Sequence, residues 1–186
     1  READTEFTTA LYKPTGTPAL QAPGLGASGN YTVTWSGVSG TEYYVLEELP
    51  PGGAWGVVLS ENVGSKSFGG PSPGNYTYRV QACNAAGCST TSNVGTTTVL
   101  YPPWGVASLS APGQSTEGTF TVSWTGVATA DRYILQESYN GQGWTTIYDA
   151  GGGSTWLNSR NAGTYDYRVL ACNQAGCGSQ WSGSVR

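Results

Sequence analysis

The strongest constraint on this chain is that it repeats itself. Trp35 recurs as Trp124, Tyr44 as Tyr133, Leu46 as Leu135, Glu48 as Glu137 and Trp55 as Trp144, at one constant offset of about 90 positions. Gly74, Tyr76, Arg79 and Cys88 return in the same register as Gly163, Tyr165, Arg168 and Cys177, and no gap interrupts the match from Leu20 to Cys88. A period of this length belongs to a whole domain, not to a solenoid turn. Two tandem domains are expected, residues 14–100 and 101–186, after a tail of residues 1–13. Within that tail Thr8-Thr9-Ala10-Leu11-Tyr12 matches Thr97-Thr98-Val99-Leu100-Tyr101, where copy 1 gives way to copy 2. The tail therefore reads as the end of a preceding repeat and the chain as a section of a longer array. Residues 1–7 match nothing in the rest of the chain.

Inside each copy the periodicity is that of strands. Tyr31-Thr32-Val33-Thr34-Trp35 and Phe120-Thr121-Val122-Ser123-Trp124 alternate large apolar with small polar side chains, the pattern of a strand with one buried face. Tyr76-Thr77-Tyr78-Arg79-Val80-Gln81-Ala82 places Tyr76, Tyr78, Val80 and Ala82 inward by the same rule. Pro50-Pro51-Gly52-Gly53, Gly69-Gly70-Pro71 and Gly151-Gly152-Gly153 punctuate the runs as turns. No segment carries a helical stripe. Short strands at this spacing predict an all-β chain of two β-sandwiches, each of about seven strands.

Trp35 with Tyr44, followed by the run Tyr76 to Gly87 (Y-x-Y-R-V-x-A-x-N-x-x-G), resembles fibronectin type III domains, and Trp124, Tyr133 and the run Tyr165 to Gly176 carry the same resemblance in copy 2. It covers almost the whole of both copies. It implies a seven-stranded immunoglobulin-like sandwich with strand F at Tyr76–Cys83, and a tyrosine corner in which Tyr76 and Tyr165 bond nearby backbone. Two departures stand out. The family's leucine five residues before that tyrosine is Pro71 in copy 1 and Arg160 in copy 2. The paired cysteines are also unusual, and C-N-x-A-G-C is similar to bacterial extracellular repeats of the type.

Cys83 follows the outward phase of Arg79 and Gln81, so it is expected to face away from the core. Four residues, Asn84 to Gly87, separate it from Cys88. As flanks of a hairpin loop the two cysteines stand opposite each other, with Cα atoms expected at about 4.5–5.5 Å. Of three possible pairings, the short reach and the repeat favour Cys83–Cys88 and Cys172–Cys177, each stapling its own turn. The spacing is unlike a C-x-x-C redox pair, and a Cys₄ zinc site would need both hairpins to meet, so no metal and no cofactor is expected. Disulfides place the chain in an oxidising compartment, secreted or on a cell surface. No signal peptide is visible, so an exported protein would be represented here by a mature or excised section. Asn30 and Asn75 head N-x-T sequons, relevant where the host glycosylates them.

Composition narrows the function. The chain has no histidine, which removes Ser-His and Cys-His nucleophiles and imidazole ligands. A net charge of −4 argues against nucleic-acid binding, and no apolar run is long enough to insert in a membrane. Glu47 and Glu48 are neighbours on one strand and point to opposite faces, so they cannot flank one bond as paired acids. Glu48 and Glu137, inward in phase, read as rim carboxylates held by hydrogen bonds, and Arg79 is placed to meet Glu47, with Gln136 in the partner position of copy 2. No catalytic residue is expected.

The remaining candidates are aromatic. Trp35 and Trp124 are core by phase, and Trp104, beside Tyr101-Pro102-Pro103, is expected to stiffen the joint between the copies. Trp55 and Trp144 follow the strand-C turn and are expected to cover the sandwich edge. Trp156 and Trp181 have no aromatic counterpart in copy 1, where Ser67 and Ser92 align with them. Trp55, Trp144, Trp156 and Trp181 are the candidate ligand-contact residues, because an exposed ring can stack on a sugar. The sequence thus points to a monomeric, non-catalytic spacer whose partners are neighbouring modules of the same polypeptide. The alternative is an adhesion module that contacts a surface glycan or protein.

Overall fold

In the computed structural model, which describes residues 10–186, the alternating runs become strands. Residues 1–9 of the expected tail lie outside the described residues. Among the described residues sixteen strands follow one another with no helix between them, and the described chain divides into two units at Val99 and Leu100.

The strands of unit 1 are β1 (Leu20–Gln21), β2 (Leu25–Ala27), β3 (Tyr31–Trp35), β4 (Tyr43–Leu49), β5 (Gly56–Glu61), β6 (Ser65–Phe68), β7 (Gly74–Asn84), β8 (Gly87–Cys88) and β9 (Gly95–Leu100). One sheet has the order β1-β3-β6; the other has β2-β9-β7-β4-β5, with β8 folded back on β7. The faces follow the alternation: Tyr31, Val33 and Trp35 are buried while Thr32 and Thr34 are exposed. Tyr76, Tyr78, Val80 and Ala82 are buried on β7, as their phase requires. β7 is longer than the expected Tyr76–Cys83, gaining a residue pair at its start and Asn84 at its end.

Unit 2 contains β10 (Leu109–Ser110), β11 (Phe120–Trp124), β12 (Arg132–Tyr139), β13 (Thr145–Ala150), β14 (Ser154–Leu157), β15 (Tyr165–Asn173) and β16 (Gly176–Cys177). Its sheets run β10-β11-β14 and β13-β12-β15-β16. Val122, Trp124, Tyr133, Leu135, Tyr167 and Val169 anchor its core. In both units the core Trp leans on the strand-C Tyr, with ring centroids 5.9 Å apart for Trp35–Tyr44 and 5.8 Å for Trp124–Tyr133. The tyrosine hydroxyl then accepts a backbone N–H, from Val38 and Val127 respectively, so a buried polar tip is satisfied.

In unit 2 the residues just before Arg186 meet β15 through the bridge of Tyr167 to Val185, the register at which Gly95 of β9 meets Tyr78 in unit 1. One feature departs from the sequence reading: the repeat gains one residue after the second cysteine hairpin. The Val80 N–H donates to Ser92 Oγ and the Val169 N–H to Ser182 Oγ, both at 2.9 Å. Ser182, not Trp181, therefore takes the place of Ser92, and Trp181 belongs to the inserted stretch.

A β-bulge recurs at the same point in both units. Leu46 pairs with Leu59 but Glu47 with Val57, leaving Val58 as the extra residue; Leu135 pairs with Tyr148 but Gln136 with Thr146, leaving Ile147. The extra residue flips the phase of what precedes it. Leu59 faces the core, whereas Val57 is 61% exposed. The same flip carries Trp55 and Trp144 to the outer face of the sheet.

Candidate functional sites

Each cysteine hairpin is built from a two-residue turn. Cys83 pairs with Cys88 and Asn84 with Gly87, so the loop proper is Ala85-Ala86, shorter than the four residues expected. Asn84 Oδ1 accepts the Ala86 N–H at 2.9 Å, and Asn173 Oδ1 accepts the Ala175 N–H at 2.8 Å; such side-chain turns are what make Asn favourable here. Gly87 and Gly176 close the turn at φ 127° and 129°, a conformation that glycine adopts without a steric penalty. Both expected disulfides are present, Cys83–Cys88 and Cys172–Cys177, with Cα atoms 4.0 Å and 3.9 Å apart, closer than the spacing argument predicted.

The cysteines do not lie on an open outer face as their phase predicted. Cys83 and Cys172 are fully buried. The cover comes from segments distant in sequence, and the hairpin asparagine ties them down. Asn84 Nδ2 donates to Tyr12 O (2.8 Å) and to Gly40 O (2.9 Å). Asn173 Nδ2 donates to Tyr101 O (2.8 Å) and to Thr129 O (3.1 Å). The Glu42 N–H and the Asp131 N–H donate to the carbonyls of Cys83 and Cys172. In each unit one buried amide thus joins three elements: the hairpin, the chain leading into the sandwich and the turn before strand C.

A second arrangement occupies the outer face of the larger sheet. In unit 1 the Arg79 guanidinium lies over the Trp55 ring, 4.2 Å from its centroid, and Arg79 Nε donates to Glu47 Oε2 at 2.7 Å. In unit 2 Arg168 stands over two rings, Trp144 at 4.3 Å and Trp181 at 4.4 Å. Its Nε and Nη2 both donate to Gln136 Oε1, at 2.9 and 2.7 Å, and Gln136 Nε2 donates to Thr146 Oγ1. The bulge and the insertion together create this stack, each by supplying one ring. Trp156 is not part of it: it sits on β14 in the other sheet, 63% exposed. Trp104 is 88% exposed.

The carboxylates are structural in their contacts. Glu48 Oε2 accepts the Tyr78 hydroxyl at 2.8 Å, and Tyr78 shares a second hydrogen bond with Tyr31 at 2.6 Å. Burial, then the bonds to Tyr31 and Glu48, push the Tyr78 phenol well above its ordinary range. Glu137 Oε2 accepts the Tyr167 hydroxyl at 2.9 Å and pairs with Arg160 Nη2 at 3.1 Å; burial and the Glu137 bond push Tyr167 upward too. The tyrosine corner forms despite the altered leucine position, with Tyr76 donating to Ser72 O and Tyr165 to Asn161 O.

A cleft of about 780 Å³ opens beside Phe120, Arg160, Tyr165 and Tyr167. Arg186 also lines it.

No family model matches the sequence, and no curated protein matches it. Among solved structures the chain is similar to the FN1–FN3 domains of chicken CNTN1, with 21% identity and a TM-score of 0.57 over 92% of this chain. The match spans 64% of that three-domain fragment. The likeness establishes the fibronectin type III fold for the all-β tandem sandwiches described above.

Proposed function

We propose that the chain is a non-catalytic spacer segment of a larger exported protein, in which each sandwich is locked to the chain that leads into it. The observation that carries this reading is the asparagine clasp. Two disulfide-closed hairpins present the same buried amide to the same pair of carbonyls, at Tyr12 and Gly40 and again at Tyr101 and Thr129. A device repeated at the same point of each domain suits a part that must hold its ends in place. The disulfides suit a secreted or cell-surface setting, and the hairpin motif keeps its resemblance to bacterial extracellular repeats. Neighbouring modules of the same polypeptide are the proposed partners, and the segment itself is a monomer.

Single-molecule stretching from the two termini tests the reading. A spacer gives two separate unfolding events, each shortened by its closed hairpin, and Asn84→Ala or Asn173→Ala lowers the force of one event only. Unfolding at negligible force, unaffected by either substitution, would remove the proposal. A second reading, adhesion through exposed aromatic residues to a glycan or protein, is favoured by one observation, the double tryptophan stack on Arg168 in unit 2.

A further inference from the structure

The two Arg–Trp stacks differ in a way that bears on recognition. In unit 1 the cation is neutralised: Arg79 pairs with Glu47 and has one ring, Trp55, beneath it. In unit 2 the carboxylate has become Gln136 and a second ring, Trp181, has been inserted. A guanidinium offers two edges for paired hydrogen bonds. The Gln136 carbonyl takes the edge formed by Nε and Nη2. The other edge, Nη1 with the second Nη2 hydrogen, has no partner among the described residues. The nearest carboxylate on the same face of β15, Asp166, is held by Arg186 through Nε (2.9 Å) and Nη2 (3.0 Å). Asp149, on β13 beyond the intervening strand β12, is bonded by Arg132 Nη1. Arg168 is therefore a cation whose charge no carboxylate of unit 2 balances, held rigid between two rings.

We propose that this stack is a binding site for a carboxylate-bearing sugar unit, such as a hexuronate residue of an acidic polysaccharide. The inference rests on the adhesion reading and names its ligand class. The free edge of Arg168 donates to the carboxylate in a two-bond fork, the geometry that guanidinium matches best. The apolar face of the pyranose lies on the exposed side of Trp144, which is 37% exposed. Trp181 and Gln136 are positioning residues: they fix the guanidinium plane, and neither needs to touch the sugar. Unit 1 lacks the site because Glu47 already occupies its arginine.

The test uses the full chain and three probes: a galacturonate tetrasaccharide, its fully methyl-esterified form and a sulfated oligosaccharide of the same length. Binding is read by titration calorimetry and by the shifts of the Trp144 and Trp181 indole N–H signals. The key variant is Gln136→Glu, which installs the pairing that unit 1 already tolerates and so keeps the fold. The galacturonate is expected to bind saturably, to perturb both indoles and to weaken as salt rises. Gln136→Glu is expected to weaken it at least ~10-fold, the loss when a fork between two charged groups is replaced by repulsion. Trp181→Ala serves as a second variant and weakens binding without changing the preference for the acid. Equal binding of the methyl ester would overturn the inference while leaving glycan adhesion standing. Preference for the sulfated probe would overturn the carboxylate assignment. No binding of any probe to the folded chain would overturn both.

Discussion

Tyr78 and Tyr167 hold the same place in the two units, fully buried or nearly so on the central strand of the larger sheet, yet their surroundings differ. Tyr78 shares its hydroxyl between Glu48 and Tyr31, and Phe68 packs against its ring at 5.1 Å. In unit 2 the Tyr31 position is Phe120 and the Phe68 position is Leu157, so no second hydroxyl is at hand. Arg160 fills the gap instead, reaching Glu137 from the position that holds Pro71 in unit 1. The tyrosine–carboxylate pair is the constant element, and its third member can be a phenol or a cation. A half-buried carboxylate tolerates either, provided its lone pairs are occupied. The same freedom appears on the outer face, where Glu47 became Gln136 without loss of the stacked arginine.

The largest separation of the two units is expected from Arg160→Ala. It leaves Glu137 without its cation, and unit 2 is predicted to lose about 3 kcal/mol, the lower end of the range for breaking a buried pair. Pro71→Ala, at the matching position, is predicted to change unit 1 by about 1 kcal/mol or less. Hydrogen exchange read by mass spectrometry resolves the units and checks both. Alkaline pH weakens both units, because Tyr167 is raised as well as Tyr78. Raised folded-state values at Tyr31 and Tyr78 mean that the unfolded chain ionises first. Their contribution is then full below about pH 10 and falls as pH rises above it. Tyr31→Phe, which copies Phe120, should flatten that loss in unit 1 when denaturant midpoints are compared between pH 8 and 11. A smaller effect concerns Thr129, a β-branched residue at φ 64° where unit 1 has Gly40 at φ 77°. Thr129→Gly is predicted to stabilise unit 2 by about 1 kcal/mol, and Gly40→Thr to destabilise unit 1 by a similar amount.

What the sequence could show depended on the range of the interaction. Strand phase is local, so Tyr31, Val33, Trp35, Tyr78 and Val80 were placed correctly by alternation alone. The disulfide pairing was legible because a hairpin of this length leaves the cysteines little choice. Burial of Cys83 was not legible, since its cover arrives from Tyr12 and from the Gly40–Glu42 turn. The bulge at Val58 carries no residue signature of its own, so the rings of Trp55 and Trp144 were assigned to the sandwich edge and not to an arginine. Recurrence offered one missed signal: Asn84 and Asn173 repeat along with the cysteines, and a turn alone does not demand the same amide twice. The insertion beside Trp181 became visible only through the matched serine bonds of Ser92 and Ser182.

Urea unfolding of Asn84→Ala and Asn173→Ala, with both disulfides confirmed intact by mass, tests most directly whether the hairpin is a clasp. Asn84 and Asn173 are only 3% and 5% exposed, and each substitution removes the amide donor shared by two backbone carbonyls. A loss of about 1–3 kcal/mol is predicted in the altered unit, with the other unit unchanged. Unchanged stability in both variants would mean that the disulfide alone secures the hairpin and that the incoming chain is not held by it.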